Sequence, residues 1–248
     1  MSTADATLVL GLSLMAAWLV AVVALRRRVP PGVLAGLGVA AVCFALYAGV
    51  VDAVADPAPL AWADAPVLAW LVAHRTPGLD TLLRAVSTVG GTLGMTVLAA
   101  AGALVLLVRQ RMRHALLVVV AAAGAGLLVT LTKNLYQRER PPLGVRLTVE
   151  TTYSLPSGHA LGSAVVLGVL AVVAVLGLRS ATARALVAAC AVLGTLIIGF
   201  SRLYLGAHWL TDVLAGWLLG AAWLALCVTL VRPRTTRASD LEEQAVAR

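Results

Sequence analysis

One lysine stands against eighteen arginines in this 248-residue chain. That lysine, Lys133, opens a stretch that runs to Arg140-Pro141. A second polar cluster, Pro156-Ser157-Gly158-His159, follows it, and a third joins Ser201-Arg202 to His208 and Asp212. Nearly everything around these clusters is apolar. Unpaired charge beside hydrocarbon is costly, so cations, imidazoles and a carboxylate at the ends of apolar runs require a partner. A phosphate group suits several cations accompanied by histidines.

In the third cluster, a helix starting near His208 puts Asp212 one turn later on the same face. Asp212 can then accept the Nδ1–H of His208, which fixes the tautomer and leaves Nε2 free to attack an electrophile. Taken alone, the pair reads more readily as a buried tie between helices, since ionic pairs near helix ends are often structural. The second cluster directly precedes an apolar run. Proline and serine start helices, and glycine lets backbone approach a ligand closely. First-turn amides and the helix dipole make an anion site there, with His159 at its edge, placed to protonate a leaving oxygen. The plainer reading of the tetrapeptide is a helix cap beside a surface histidine. In the first cluster, Lys133 and Arg140 can bind phosphate oxygens, and Arg202 is the third cation. Arg138 and Arg146 read as interface charges that set topology.

The elements that must position these residues are apolar runs at about 6–25, 33–51, 92–108, 115–132, 160–178, 182–200 and 209–231, each near the ~20 residues that cross a bilayer core. With 61% hydrophobic and 12% charged residues, the chain is expected to be an all-α, polytopic transmembrane bundle. Arg26–Arg28, Arg109/Arg111/Arg113, Arg179/Arg184 and Arg232/Arg234/Arg237 fall on one side if all seven runs span, and that side is cytoplasmic. All three clusters then face outward from what is expected to be the plasma (inner) membrane. Residues 1–32 are read as an N-out span and a cytoplasmic arginine turn. A signal peptide is disfavoured, because the arginines follow the apolar stretch. Residues 33–231 are read as the membrane domain and 232–248 as a disordered cytoplasmic tail. Within 52–91, prolines break the chain, Trp62 and Trp70 suit a membrane boundary, and Leu79, Leu82, Leu83, Val86 and Val89 recur at helical spacing. One or two short helices are expected, either lying in the outer interface or packed on the bundle.

The net charge of +8 does not indicate nucleic acid, since no basic face carries interleaved aromatic side chains. Cys43, Cys190 and Cys227 lie inside apolar runs with no CxxC spacing, so neither redox work nor a metal site is indicated.

Lys133 to Arg140-Pro141, Pro156-Ser157-Gly158-His159, and Ser201-Arg202 to His208 and Asp212 together resemble the three signature motifs of the type 2 phosphatidic acid phosphatase superfamily. The resemblance covers about residues 33–231, with no departure at the fixed positions. It implies a six-span core, to which run 6–25 is an extra span. It implies that His208 is a nucleophile forming a phosphohistidine, oriented by Asp212, and that His159 protonates the leaving group and then activates water. Lys133, Arg140 and Arg202 would bind the phosphoryl oxygens, with Ser157 and the Gly158 amide adding hydrogen bonds and Ser201 helping to hold the oxyanion site. No acidic cluster accompanies the motifs, so no metal or other cofactor is expected, chelators should not inhibit, and vanadate should. The implied substrate is a lipid phosphate or isoprenyl diphosphate, such as phosphatidic acid, phosphatidylglycerol phosphate or undecaprenyl diphosphate, presented by the bilayer. A phosphotransferase using the same intermediate, or a lipid-phosphate binding or transport protein without turnover, are the alternatives.

Overall fold

A computed structural model of the protein describes residues 3–25, 29–55 and 59–231. Arg26–Arg28 and the tail 232–248 lie outside the described residues. Among the described residues ten α-helices run in order: α1 Thr3–Leu25, α2 Pro31–Ala55, α3 Pro59–Trp62, α4 Asp64–Ala73, α5 Pro77–Val89, α6 Thr92–Val108, α7 Met112–Tyr136, α8 Gly158–Gly177, α9 Ala181–Tyr204 and α10 Leu210–Val231. A single 3-10 turn at Leu143–Val145 interrupts the loop between α7 and α8, and the described residues contain no strand. Helices α1, α2, α7, α8, α9 and α10 are long and apolar enough to span a bilayer. Helices α5 and α6 together make a seventh such length, bent by 47° at their junction. The seven apolar runs fall within these helices, to within one residue at the end of α8 and at the start of α10.

The packing is what a chain solvated by lipid requires. Leu79, Leu82 and Val89 of α5 are exposed, whereas Leu83 and Ser87 are buried. The same holds across the molecule: leucines and valines cover the outside, while Asp64, Lys133, Arg202, His208, Thr211 and Asp212 are inside. Hydrocarbon accepts an apolar side chain as readily as a protein core does, so interior positions go to groups that need polar partners.

Two features of α8 and α10 bring the second and third clusters together. Gly216 and Gly220, one turn apart on α10, lie against α8. A Cβ at Gly216 would sit 2.7 Å from the Ser157 carbonyl oxygen, and one at Gly220 would sit 3.0 Å from that of Leu161. The two backbones touch only because both positions lack side chains. At the N-terminus of α8 the Ser157 hydroxyl accepts the Ala160 amide, and the Ser157 N–H donates to the Asp212 carbonyl at 2.9 Å.

The segment between α2 and α6 is packed on the bundle. Trp62 and Trp70 are exposed, yet Arg75 donates to the Tyr204 carbonyl at 3.0 and 2.7 Å and to the Val145 carbonyl at 2.8 Å. The Tyr204 hydroxyl donates to Asp80 at 2.8 Å. This clamp closes over Gly206, whose φ of +67° and closeness to the Val145 carbonyl exclude any other residue without strain. The turn it permits carries the chain from Arg202 to His208.

Candidate active site

The C-terminal ends of α7 and α9 and the N-terminal ends of α8 and α10 meet at one end of the bundle. Between them and the loop 137–157 lies a cavity of about 1040 Å³, lined by Lys133, Arg138, Arg140, Arg146, Glu150, Gly158, His159 and His208 among others. Its centre is His208, which sits in the turn just before α10 and is 2% exposed. Its Nδ1 lies 3.3 Å from Oδ2 of Asp212, in the first turn of α10. Its Nε2 lies 3.2 Å from Nη1 of Arg140. A guanidinium only donates, so Nε2 carries the lone pair and Nδ1 the proton. This is the tautomer required of a nucleophile, with its lone pair turned toward a cation. Burial pushes the His208 pKa down to about 3. Hydrogen bonding to Asp212 and its charge oppose that fall, and Arg140 and Arg202 add to it.

Asp212 is fully buried, and its carboxylate is fully engaged. Oδ2 accepts from His208, from the Trp209 amide at 2.9 Å and from the Ser154 hydroxyl. Oδ1 accepts from Arg138. Arg138 is therefore not a topology charge, as sequence reasoning had it. Its side chain is only 17% exposed, and it also binds Asp64 at 2.7 Å and the Thr211 hydroxyl at 2.7 Å. Arg146, read in the same way, lines the cavity and donates to the Pro141 carbonyl.

The cations surround this centre. Arg140 is held by the Ala207 carbonyl at 2.7 Å and the Thr152 carbonyl at 2.6 Å. Lys133, one turn before the end of α7, donates to the Tyr153 carbonyl and to the Thr152 hydroxyl at 3.2 Å. Arg202, in the last turn of α9, donates to the Ser87 hydroxyl and to Glu150, and its buried Nε has no partner among the described residues. His159 reaches the α5–α6 junction, where a Cβ on Gly91 would stand 3.2 Å from its Nε2. Gly158 lines the cavity beside it. Ser157 serves α8 as its cap. Ser201 is displaced from its expected role: its hydroxyl is fully buried and donates to the Ile198 carbonyl at 2.6 Å, within its own helix. A serine in a helix satisfies the carbonyl one turn back when no closer acceptor is offered.

The first and third motifs thus converge directly, through Arg140 and His208, and His159 of the second lines the same cavity. Sequence reasoning missed Asp64, Ser154 and Glu150. Glu150 offered one signal, being one of two acids, with Glu139, in a loop that carries Arg138, Arg140 and Arg146. Its carboxylate accepts from Arg202 and lies 3.9 Å from Nη2 of Arg140. Burial would raise its pKa, but Arg202 and then Arg140 outweigh burial and hold it below the usual range. Glu150 thus pairs with two of the cations that the sequence assigns to phosphate, and would compete with a phosphate for them. Glu150→Gln removes the competing charge and is expected to tighten competitive inhibition by inorganic phosphate about 10-fold, the equivalent of one modest ion pair. An unchanged or weaker inhibition constant would show that the carboxylate does not compete.

Comparison with known proteins bears on the same residues. The profile described as the PAP2 superfamily matches residues 114–236, which contain all three motifs. The curated "Phosphatidylglycerophosphatase B" of Bacillus subtilis (strain 168) is 30% identical over 162 residues, covering 64% of this chain and 78% of that protein. The chain belongs to the PAP2 superfamily. This PAP2 protein is also similar to the "Undecaprenyl-diphosphatase" of Sulfolobus acidocaldarius, at 37% identity over 75 residues, 30% of this chain and 32% of the relative. Its fold matches the crystal structure of a transmembrane PAP2-type phosphatidylglycerolphosphate phosphatase from Bacillus subtilis. The TM-score is 0.70 and the identity 25%, over 79% of this chain and 98% of the other. As a PAP2 protein built of apolar helices, the chain is an integral membrane phosphatase.

Proposed function

We propose that this PAP2 protein hydrolyses the terminal phosphate of a lipid phosphate or isoprenyl diphosphate through a phosphohistidine on His208, at the extracytoplasmic face. The observation that carries the reading is the His208 ring: proton on Nδ1 toward Asp212, lone pair on Nε2 toward Arg140, inside a cavity rich in cations. Nε2 attacks phosphorus, a P–N bond forms, and the P–O bond to the lipid breaks. The leaving oxygen takes a proton from His159. Water then attacks phosphorus, giving a proton to His159, and the P–N bond breaks to release inorganic phosphate. Arg140, Lys133 and, once Glu150 has moved, Arg202 stabilise the oxygens of the transferring group, with the Gly158 amide at the N-terminus of α8. No step is assigned to a metal. Among the described residues no three His, Cys, Asp or Glu side chains form a group able to hold one.

The substrate class is supported by a second cavity of about 370 Å³ between α6, α7 and α8. It shares Thr92, Val129, Thr130 and Gly158 with the catalytic cavity and continues along Met95, Ala122, Gly126, Gly162 and Val166. A long apolar tail fits this small-residue groove while its phosphate meets His208, in keeping with the two relatives whose names specify phosphorylated lipids. The direct test is phosphate release by the purified protein in detergent from a panel of lipid phosphates and diphosphates. No release from any of them would reject the function. The groove is tested by Gly126→Leu, because a side chain there meets no protein atom within 4 Å and projects into the space available. The variant is expected to raise KM for a long-chain substrate about 10-fold or more, the loss of two methylenes' burial, and to leave hydrolysis of a short-chain phosphate unchanged. Equal effects on both substrates would remove the groove from the account. The outward orientation rests on the arginine-rich connections α6–α7 and α8–α9, which lie at the end of the bundle opposite the site.

A further inference from the structure

A buried network behind His208 involves a residue outside all three motifs. Asp64 opens α4, and its side chain is 6% exposed. Oδ1 accepts the Thr211 amide at 2.9 Å, and Oδ2 accepts the Thr211 hydroxyl and Nη2 of Arg138, each at 2.7 Å. The other arm of the same guanidinium, Nη1, binds Asp212 and the Thr211 hydroxyl. Arg138 also lies 5.7 Å from the ring of Trp209. Helix α4 is thereby joined to the start of α10 at Thr211, immediately before Asp212.

The charges give this arrangement a purpose. Asp212 must remain anionic toward His208, because the ring becomes cationic when its Nε2 is phosphorylated. A guanidinium bound to Asp212 alone would cancel the charge that His208 needs. With Asp64 on its second arm, Arg138 is shared between two carboxylates, and the trio keeps a net charge of −1 facing the imidazole. Arg138 then pins Oδ1 without neutralising the carboxylate, and Oδ2 stays aimed at Nδ1. The contact of Asp64 with the Thr211 amide also satisfies a first-turn donor of α10, holding the backbone beside Asp212.

We propose that Asp64 is a positioning residue for the His208–Asp212 pair, acting through Arg138 and Thr211. The inference rests on the phosphatase reading above, since it assigns to Asp64 a share in charging and aiming the nucleophile.

The test is a double-mutant cycle between Asp64→Asn and Asp212→Asn, read as phosphate release from a lipid phosphate. The asparagine keeps the size of the side chain and an acceptor for Thr211 but removes the charge. Asp64→Asn is expected to lower kcat about 10- to 100-fold while KM and the inhibition constant for inorganic phosphate stay within about 3-fold, because Asp64 touches neither substrate nor the phosphate-binding cations. On the Asp212→Asn background the same substitution is expected to cost less than about 2-fold, because its target is already gone. Wild-type kcat in Asp64→Asn overturns the proposal. Equal losses on both backgrounds, or a kcat loss accompanied by collapse of phosphate affinity, also overturn it, by showing a general structural role. Absence of phosphate release from the wild type defeats the phosphatase reading itself, and this inference with it, whereas an active wild type with an indifferent Asp64→Asn defeats this inference alone.

Discussion

His208→Ala releases phosphate from a lipid phosphate on the order of 10⁴-fold more slowly than the wild-type protein, the scale seen when a nucleophile acting with its partners is removed. The expectation follows from the ring's surroundings. Asp212 accepts the hydrogen bond from Nδ1–H and Arg140 faces Nε2, so the Nε2 lone pair is turned toward the cations of the cavity. Phosphate release by purified wild type and variant in the same detergent checks it, and retention of more than a tenth of the activity would assign the attack to another group. The pH profile provides a second check on the same residue. With its pKa lowered to about 3, His208 keeps its lone pair as pH falls through the range where histidine ordinarily protonates. Any acid limb in kcat/KM that belongs to His208 therefore lies near pH 3 rather than near 6.5. The same shift acts on stability. Between those two values the unfolded chain binds a proton at this position that the folded chain does not. Lowering the pH through that window therefore weakens the fold.

Removal of the second histidine should separate the two halves of the reaction. His159→Ala is expected to slow turnover of a lipid phosphate about 10²–10⁴-fold, the usual share of a positioned general acid or base. The first half needs His159 only to protonate a poor leaving group. An aryl phosphate, whose phenolate leaves without a proton, should still transfer its phosphoryl group to His208. The second half, attack of water, keeps its need for a base. The variant should thus give a burst of phenolate followed by slow turnover, with label from a ³²P-phosphoryl donor trapped on the protein in a bond that acid breaks and alkali spares. Equal impairment with aryl and lipid substrates, and no trapped label, would remove His159 from proton transfer and leave it only a place in the wall of the cavity.

The two outcomes draw on different parts of the fold. The His208 ring is held between Arg140 and Asp212, the latter bonded in turn by Ser154. His159 depends on α8 being laid against α10 at Gly216 and Gly220, and on α5 bending into α6 where its ring ends. The carboxylate of Glu150, which pairs with two cations, comes from the loop that joins the first two motifs.

The helical architecture was legible in the sequence, because runs of about twenty apolar residues have one backbone solution in a bilayer. The His208–Asp212 pair was legible for a related reason, since a spacing of four on one helix is a local geometry that needs no tertiary information. So was the meeting of Lys133, Arg140 and His159 around one cavity, since charges at the ends of apolar helices have few other ways to be satisfied. The partners of Arg138 and Ser201 were not legible. Whether an arginine near a membrane boundary faces headgroups or bridges two buried carboxylates depends on what lies opposite it, and Asp64, 74 residues away in the chain, carries no local mark of that contact. Ser201 was assigned to the oxyanion by its motif, but its hydroxyl donates to the Ile198 carbonyl of its own helix. The sequence by itself determined which groups had to leave the hydrocarbon and find one another. Only the tertiary structure decided which carboxylate met which guanidinium, because that choice is made by helix rotation and close packing across the bundle, and neither leaves a periodic trace along the chain.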